Sequence, residues 1–229
     1  IVFYDDVLVP WERVFLLGDV DMCNNYGAAT HASNHTGHQI LVRSVAKTEF
    51  ILGLATLVVE TIGSGLIPHV QERMGEIIDY LEVLRACLRS AEADAAIDEW
   101  GVMCPSADPL VSGRNMFARI IYPRMAEIVQ LLSSSNLMAL PSEADFRTPL
   151  RADIDHYLAT DSTTAWDRTR LFHLAWDTVG SAFGNRQLLY ERFFTGDPVR
   201  NSILRYEGYD KEPYAQRVRN FLLRTDPER

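Results

Sequence analysis

The residues of this sequence best suited to bind an anionic ligand fall between positions 180 and 200. Three arginines there carry planar guanidinium groups, whose forked donors match the oxygens of a pyrophosphate. Two glycines would let a ligand approach the backbone closely. A turn held by salt bridges explains the same residues equally well, so both interpretations stay open. The residues are Gly184, Arg186, Arg192, Gly196 and Arg200.

A second group that could do chemistry is formed by three of the six histidines, His31, His35 and His38. Their spacings of four and three would place them on one face of a helix, a geometry that can bind a metal ion. No glutamate lies near them in the sequence to complete a carboxylate-bridged site. The pattern therefore favours a polar helix start over a metal site, with a cofactor or substrate contact as the alternative, and we assign no metal ligand.

Other signatures of catalysis are missing from the sequence. It contains no GxSxG, GxGxxG or P-loop motif, so any nucleotide would have to be held in another way. The run of small polar residues Ser133 to Asn136 suits close packing between helices better than a bound ligand. These patterns by themselves identify no nucleophile and no catalytic base.

Composition narrows the class of protein. The 229 residues are 47% apolar and 23% charged, which is incompatible with intrinsic disorder. The 22 basic against 31 acidic residues give a net charge of −9, which argues against nucleic-acid binding. The longest apolar run, residues 50–59, is broken by Gly53 and Thr56 and is too short to span a membrane. Three cysteines without a CxxC pair favour a reducing, cytoplasmic location.

Apolar residues recur at helical spacing in four long segments that are joined by polar loops. Because each apolar stripe is wide enough to pack on two neighbours, the pattern predicts an all-α protein, an antiparallel four-helix bundle. We expect Pro123 to kink the third helix and a short amphipathic helix to follow near 213–223. The predicted helices are 34–64, 68–96, 115–140 and 162–192, and the predicted loops are 97–114 and 141–161, with room for one short turn in the second.

The first ten residues, Ile1 to Pro10, have the pattern of a β-strand instead. They contain no methionine and no basic segment of the kind that begins a signal peptide. A single strand needs neighbours to pair with, and the rest of the sequence predicts hardly any. We therefore expect a truncated start, with the sequence opening inside a larger protein.

Motifs along the whole chain resemble the 4-hydroxyphenylacetate 3-monooxygenase family, the oxygenase components of two-component, reduced-flavin-dependent phenol hydroxylases. The opening Val-Phe-Tyr-Asp-Asp-Val-Leu-Val-Pro-Trp-Glu-Arg-Val-Phe resembles the last strand of that family's middle β-domain. Further matches occur in order along the chain. They are His38-Gln39, Ala46 to Gly53, His69 to Glu72, Tyr122 to Met125, Leu140 to Phe146, Phe183 to Gln187 and Gly196 to Arg200.

The resemblance implies an acyl-CoA dehydrogenase-like architecture. Residues 1–33 would be the end of the middle β-domain, as a strand remnant plus linker. Residues 34–192 would form the four-helix bundle, which builds a homotetramer in the family. Residues 193–229 would form a segment that approaches the flavin, followed by the tail.

The resemblance also implies the cofactor and the reaction. The cofactor would be FAD, supplied as FADH2 by a separate flavin reductase, and with O2 the enzyme would ortho-hydroxylate a phenol to a catechol. The family's base and substrate-binding residues lie upstream of this sequence, so we assign no catalytic residue here. No nucleic acid and no membrane enter this interpretation. The implied cofactor-binding residues are Phe194, Thr195, Gly196, Asp197 and Pro198, then Arg186 and Gln187, and at the start of the first bundle helix His38 and Gln39.

Three other interpretations remain. A 4-hydroxybutyryl-CoA dehydratase would need a cysteine and a histidine ligand for its iron–sulfur cluster at the start of the first bundle helix, where Arg43 stands and the nearest cysteine is Cys23. An acyl-CoA dehydrogenase would need a glutamate base on the bundle, and the motifs above do not fit that group. The chain by itself could also be a non-catalytic helical oligomerisation module. Hydroxyphenylacetate, a halophenol and a tyrosine-like group all remain open as the substrate.

Overall fold

The structure, a computed structural model, describes residues 2–224. Ile1 and residues 225–229, which belong to the predicted first and last segments, lie outside this range. The described part is mostly helical and contains one small two-stranded sheet. The elements are α1 (Val20–Ala29), α2 (Ala32–Ile62), α3 (Pro68–Ala93), β1 (Ala96–Ile97), β2 (Met103–Cys104), α4 (Ala107–Met116), α5 (Tyr122–Ser133), α6 (Arg151–Leu158), α7 (Ala165–Val179), α8 (Ala182–Phe193), α9 (Pro198–Gly208) and α10 (Glu212–Arg224).

The predicted four-helix bundle is confirmed. Its four limbs are α2, α3, the α4–α5 pair and the α7–α8 pair. The first two helices agree closely with prediction, because Gly63 ends α2 and Pro68 occupies the first turn of α3. Apolar residues from all four limbs fill one core, so the stripes recognised in the sequence do face inward. The core includes Leu41, Ile51, Val58, Ile77, Leu84, Ile121, Met125, Ile128 and Phe172.

Pairs of contacting residues set the directions of the limbs. Gly37 faces Leu110 and Leu41 faces Gly113, so α2 and α4 run in the same direction. The residues by which α2 contacts α3 follow opposite orders along the two helices, and the same is true of α2 and α8. Helix α2 is therefore antiparallel to both, as in an up-and-down bundle. This arrangement brings the beginning of α2 next to the end of α8.

The third limb differs from the prediction in where it begins and where it is irregular. Helix α4 begins at Ala107, inside the predicted loop, because Pro109 occupies a first-turn position where no backbone N–H is needed. A π-helical turn, Phe117–Ile121, joins α4 to α5. The sequence predicts a kink at Pro123, and the irregularity that the structure has is this π-helical turn just before that residue. In it the Tyr122 N–H donates to the Phe117 carbonyl. The limb leaves the α-helix at Ser133, short of the predicted residue 140.

The fourth limb is two helices, so the prediction of one helix over 162–192 is wrong. Helix α7 ends before Gly180. The Ser181 hydroxyl then caps α8 by accepting a hydrogen bond from the Gly184 N–H at 3.1 Å. Both glycines are required by close packing. A Cβ at Gly180 would lie 2.4 Å from the Trp176 ring, and one at Gly184 would lie 2.8 Å from the Thr178 carbonyl oxygen.

The predicted N-terminal strand is also wrong for the residues that the structure describes. Residues 2–10 form no strand, and their side chains are exposed. The physical reason is that no neighbouring strand lies beside them to complete a ladder of hydrogen bonds. The paired strands are instead β1 and β2, where Ala96 lies opposite Cys104. Within residues 2–224, no helix is long and apolar enough to cross a membrane.

Candidate functional site

The segment Phe194 to Pro198 forms a turn between α8 and α9. Gly196 has a φ of 99°, a left-handed backbone conformation that favours glycine. The Asp197 carboxylate caps α9 by accepting a hydrogen bond from the Val199 N–H at 3.0 Å. The Asn201 amide donates to the Thr195 carbonyl at 3.0 Å. The chain thus fixes the shape of this turn by itself.

A buried cluster of charges lies immediately before this turn. Glu191 is buried, and its carboxylate accepts two hydrogen bonds from the Arg43 guanidinium, at 2.5 and 2.9 Å. Lys47 donates to the same carboxylate at 2.6 Å and to the Gln187 side-chain oxygen at 2.9 Å. The cluster therefore ties the first half of α2 to the last turns of α8.

The cluster continues into the turn through aromatic contacts. The Arg43 guanidinium carbon lies 5.5 Å from the centre of the Tyr190 ring and 5.2 Å from that of Phe194. The two rings stack on each other with centroids 4.7 Å apart. A cation held over aromatic rings is attracted by their negative faces. The ion pair with Glu191 thus holds the residue that begins the turn.

The same cluster affects a tyrosine of α5. The Lys47 ammonium lies 4.8 Å from the centre of the Tyr122 ring. Burial, and after it the negative charge of Glu191, raises the pKa of Tyr122 to about 12. The phenol therefore stays protonated well into the alkaline range. The chemistry that this arrangement offers is positioning, with no proton exchanged by Tyr122 near neutral pH.

Two polar atoms near the turn are buried without a hydrogen-bond partner, the Thr195 hydroxyl and the Arg43 Nε. Buried polar atoms almost always have a hydrogen-bond partner, so two that lack one need an explanation. A bound polar molecule supplies it. A flavin carries both an aromatic ring system and polar ring atoms. The hydroxyl of Thr195, the ring of Phe194 and the open backbone at Gly196 fit such a group.

The other residues of the predicted cofactor site are placed unequally. Gln187 belongs to the charge cluster through Lys47. Arg186 is exposed and makes no hydrogen bond or ion pair with the described residues. Gln39 is exposed one helical turn before Arg43, on the same face of α2.

The histidines do not join the turn. His38 forms a hydrogen bond with Glu92 of α3 at 2.8 Å, and His31 forms one with Glu99 at 3.1 Å. His35 and His38 line a shallow cavity together with Glu92. Among the described residues, no three His, Cys, Asp or Glu side chains are grouped so that they could hold a metal ion. The structure thus separates His38 from the contacts of the Phe194 to Pro198 turn.

Sequence reasoning missed the charge cluster, although a signal for it exists. Arg43 and Lys47 lie four residues apart on α2, and Gln187 and Glu191 lie four apart on α8. Each pair marks one helical face with polar side chains. Two cations at this spacing on one helix, and an amide and a carboxylate at the same spacing on the helix that packs against it, indicate such a cluster.

The helical bundle has the fold of acyl-CoA dehydrogenase-like proteins. A family model described as 4-hydroxyphenylacetate 3-hydroxylase C terminal matches residues 23–223, and the chain belongs to this family. The resemblance expected from the sequence motifs is therefore confirmed.

Relatives and solved structures agree with this assignment. The chain is 49% identical over 222 residues to the 4-hydroxyphenylacetate 3-monooxygenase oxygenase component of Thermus thermophilus, covering 97% of this chain and 46% of the relative. It is 44% identical to the protein of the same name from Geobacillus sp., covering 97% and 45%. The chain thus spans about half the length of the curated relatives that it matches.

Two kinds of solved structure share the fold. A crystal structure of the oxygenase component of 4-hydroxyphenylacetate 3-monooxygenase complexed with FAD superimposes with a TM-score of 0.90 at 49% identity, covering 96% of this chain and 46% of that one. The complex with FAD and 4-hydroxyphenylacetate gives 0.91 at 48% identity, covering 97% and 46%. A 4-hydroxybutyryl-CoA dehydratase from N. maritimus gives 0.80 at 18% identity, covering 96% and 43%, which shows a shared fold alone.

Proposed function

We propose that this chain forms the C-terminal helical part of a flavin-dependent aromatic monooxygenase. In this proposal the enzyme is the oxygenase component of a two-component system and ortho-hydroxylates a phenol to a catechol, using O2 and FADH2 from a separate reductase. The observation that carries the proposal is the match, over 96% of this chain, to an oxygenase component whose crystal structure contains FAD. The substrate class rests on the related complex with 4-hydroxyphenylacetate.

When bound, reduced FAD would supply the electrons that activate O2. The residues of this chain would hold and orient the flavin and help to keep water away. Phe194 would present its ring, the Thr195 hydroxyl would form a hydrogen bond that no described residue provides, and Gly196 would leave its backbone open. The Arg43–Glu191 pair would keep this turn in place.

We also propose that the bundle assembles into a homotetramer. Large apolar side chains remain exposed on its helices, among them Phe50 and Leu57, which lie two turns apart on one face of α2. An apolar stripe at this spacing suits packing against a second helix. The three cysteines are free in the structure, which agrees with the reducing cytoplasm that we propose as the location.

The role of the turn is tested by Gly196→Val, with Gly101→Val as the matched control. Both glycines have a positive φ, 99° and 78°, so valine strains both turns in a similar way. A Cβ at Gly101 would meet no atom within 4 Å. Anaerobic titration with reduced FAD should show weaker binding for Gly196→Val than for Gly101→Val, while circular dichroism shows both folded. Equal affinities would remove the turn from the flavin site.

The reaction is tested with the protein expressed from the whole reading frame that encodes this chain. Given a flavin reductase, NADH and FAD, it should convert 4-hydroxyphenylacetate or another para-substituted phenol to the catechol with uptake of oxygen. Oxygen uptake that yields only hydrogen peroxide with a panel of phenols would contradict the proposal. Iron and labile sulfide in protein purified anaerobically would favour the dehydratase class instead.

A further inference from the structure

A second place in the structure, apart from the Phe194 to Pro198 turn, has an unpaired charge. Arg114, near the end of α4, is half-buried, and its Nε is buried without a hydrogen-bond partner. The guanidinium makes no hydrogen bond or ion pair with any of the described residues. Burial lowers the pKa of Arg114, which means that its charge is held in an unfavourable environment. An arginine in this condition lacks the anion that its five donors would normally face.

Arg114 lies in a cavity of about 300 Å³ between the beginning of α2, the length of α4 and the length of α9. This volume is at the lower end of the range for small-molecule sites. The lining is more apolar than polar, and none of the described lining residues is acidic. Its lining includes Asn34, Leu110, Val111, Arg114, Asn201, Leu204 and Arg205.

The charge in this cavity is a single positive one. Arg205, the other cation of the lining, forms an ion pair with Asp108, so its charge is balanced. The Asn34 amide donates to the Pro105 carbonyl at 2.9 Å, and the Asn201 amide donates to the Thr195 carbonyl. Arg114 therefore provides the one unbalanced charge among the described lining residues.

We propose that this cavity binds a small organic carboxylate, with its oxygens on the Arg114 guanidinium and its apolar body along Leu110, Val111 and Leu204. A carboxylate is a planar monoanion, and it matches one unpaired guanidinium in both charge and geometry. A phosphate carries close to two negative charges and three or more acceptor oxygens, which one arginine cannot satisfy. The apolar lining favours an anion with a hydrocarbon body over a bare inorganic ion.

The binding test uses the chain itself and measures thermal unfolding with three probes, hexanoate, 1-hexanol and inorganic phosphate. Hexanoate should raise the unfolding temperature in a saturable way, because it binds the folded state alone. The neutral alcohol and inorganic phosphate should raise it much less at the same concentration and ionic strength. Equal protection by 1-hexanol, or protection by phosphate alone, would overturn the proposal.

The residue test compares Arg114→Met with Arg89→Met, the loss of an exposed arginine on α3. Arg114→Met keeps the apolar stem, so the unliganded variant should unfold at the wild-type temperature or above it, because an unpaired charge has been removed. Its apparent affinity for hexanoate should fall about tenfold or more. Arg114→Lys keeps a charge without the fork and should lie in between.

These two measurements separate binding from structure. An arginine that served only the fold would give a lower unfolding temperature in Arg114→Met and an unchanged protection by hexanoate. Arg89→Met should keep the full response to hexanoate, since it changes the net charge by the same amount at an exposed position outside the cavity lining. Unchanged hexanoate affinity in Arg114→Met, or the same loss in Arg89→Met, would overturn the assignment of this cavity.

Discussion

Replacing Glu191 with glutamine is the sharpest perturbation of the contact between α2 and α8. Glutamine keeps the size and one acceptor oxygen of the side chain and removes its negative charge. Two cations, Arg43 and Lys47, would then face a neutral amide in a place where the carboxylate is 1% exposed. One carboxylate faces two cations here, so the variant raises the net charge of the cluster from +1 to +2 and measures the cost of leaving both cations without an anion.

The expected magnitude follows from burial. Breaking a buried ion pair by removing one partner costs about 3–5 kcal/mol. The cations keep part of their surface in water, 34% for Arg43 and 25% for Lys47, which offsets some of this cost. We therefore expect Glu191→Gln to lower the free energy of unfolding by about 3 kcal/mol. With a urea m-value of about 3 kcal/mol/M for a chain of this size, the midpoint should fall by about 1 M.

The structure offers a matched control in Glu76→Gln. Glu76 of α3 also accepts two hydrogen bonds from one arginine, Arg124 of α5, at 2.8 and 2.9 Å. Its side chain is 25% exposed, and that pair has no contact with the Phe194 to Pro198 turn. The hydrogen bond from Arg124 lowers the pKa of Glu76, and this carboxylate is better hydrated than that of Glu191. We expect a loss of about 1 kcal/mol for this variant.

The assay combines urea unfolding with anaerobic titration by reduced FAD. Glu191→Gln should weaken FAD binding as well as lower stability, because the Arg43 guanidinium loses the carboxylate that fixes it over the Phe194 ring. Glu76→Gln should leave FAD affinity unchanged when the two proteins are compared under conditions where both are fully folded. If Glu191→Gln costs no more than Glu76→Gln, or if both keep the same FAD affinity, the anchoring role is refuted.

Three further outcomes follow from single contacts. The free energy of unfolding should fall between pH 10 and about 12, because Tyr122 ionises there in the unfolded chain and stays protonated in the folded one. Urea titrations at alkaline pH should show that Tyr122→Phe makes this fall shallower by about 1.4 kcal/mol per pH unit. Gly184→Ala should cost about 2 kcal/mol by circular dichroism melting, because the new Cβ would lie 2.8 Å from the Thr178 carbonyl oxygen. Phe50→Glu should lower the assembled mass in light scattering, since it places a charge in the exposed stripe of α2; an unchanged mass would exclude this face from the tetramer contact.

Helical periodicity was enough to predict the bounds of α2 and α3 to within three residues, because their apolar stripes agree with the end signal at Gly63 and the start signal at Pro68. It could not reveal the break at Gly180, because the stripe continues across it from α7 into α8. The break depends on a close approach of the Trp176 ring to the backbone, which is a tertiary contact. A glycine within a helical apolar pattern does not by itself indicate such a contact.

In the candidate site too, local features could be predicted from the sequence and tertiary contacts could not. The resemblance to a family predicted the Phe194 to Pro198 turn, and its shape depends on local signals, a glycine followed by an Asp-Pro helix start. The partners of the turn were missed because they are distant in the sequence. Arg43 and Glu191 are 148 residues apart, and nothing in one chain's periodicity pairs two positions at that distance.

The position of the turn is consequently a property of the whole bundle. Arg43 of α2 holds Phe194, and the π-helical turn presents Arg119, which donates to the Ser202 hydroxyl of α9 at 2.7 Å. One contact lies before the turn and the other lies after it, and each comes from a different limb. A shift of α2 relative to α4 would therefore displace the two ends of the turn differently. The close fit of Gly37 on Leu110 and of Gly113 on Leu41 opposes that shift, so the packing of these two helices fixes the position of the turn that we propose for the flavin.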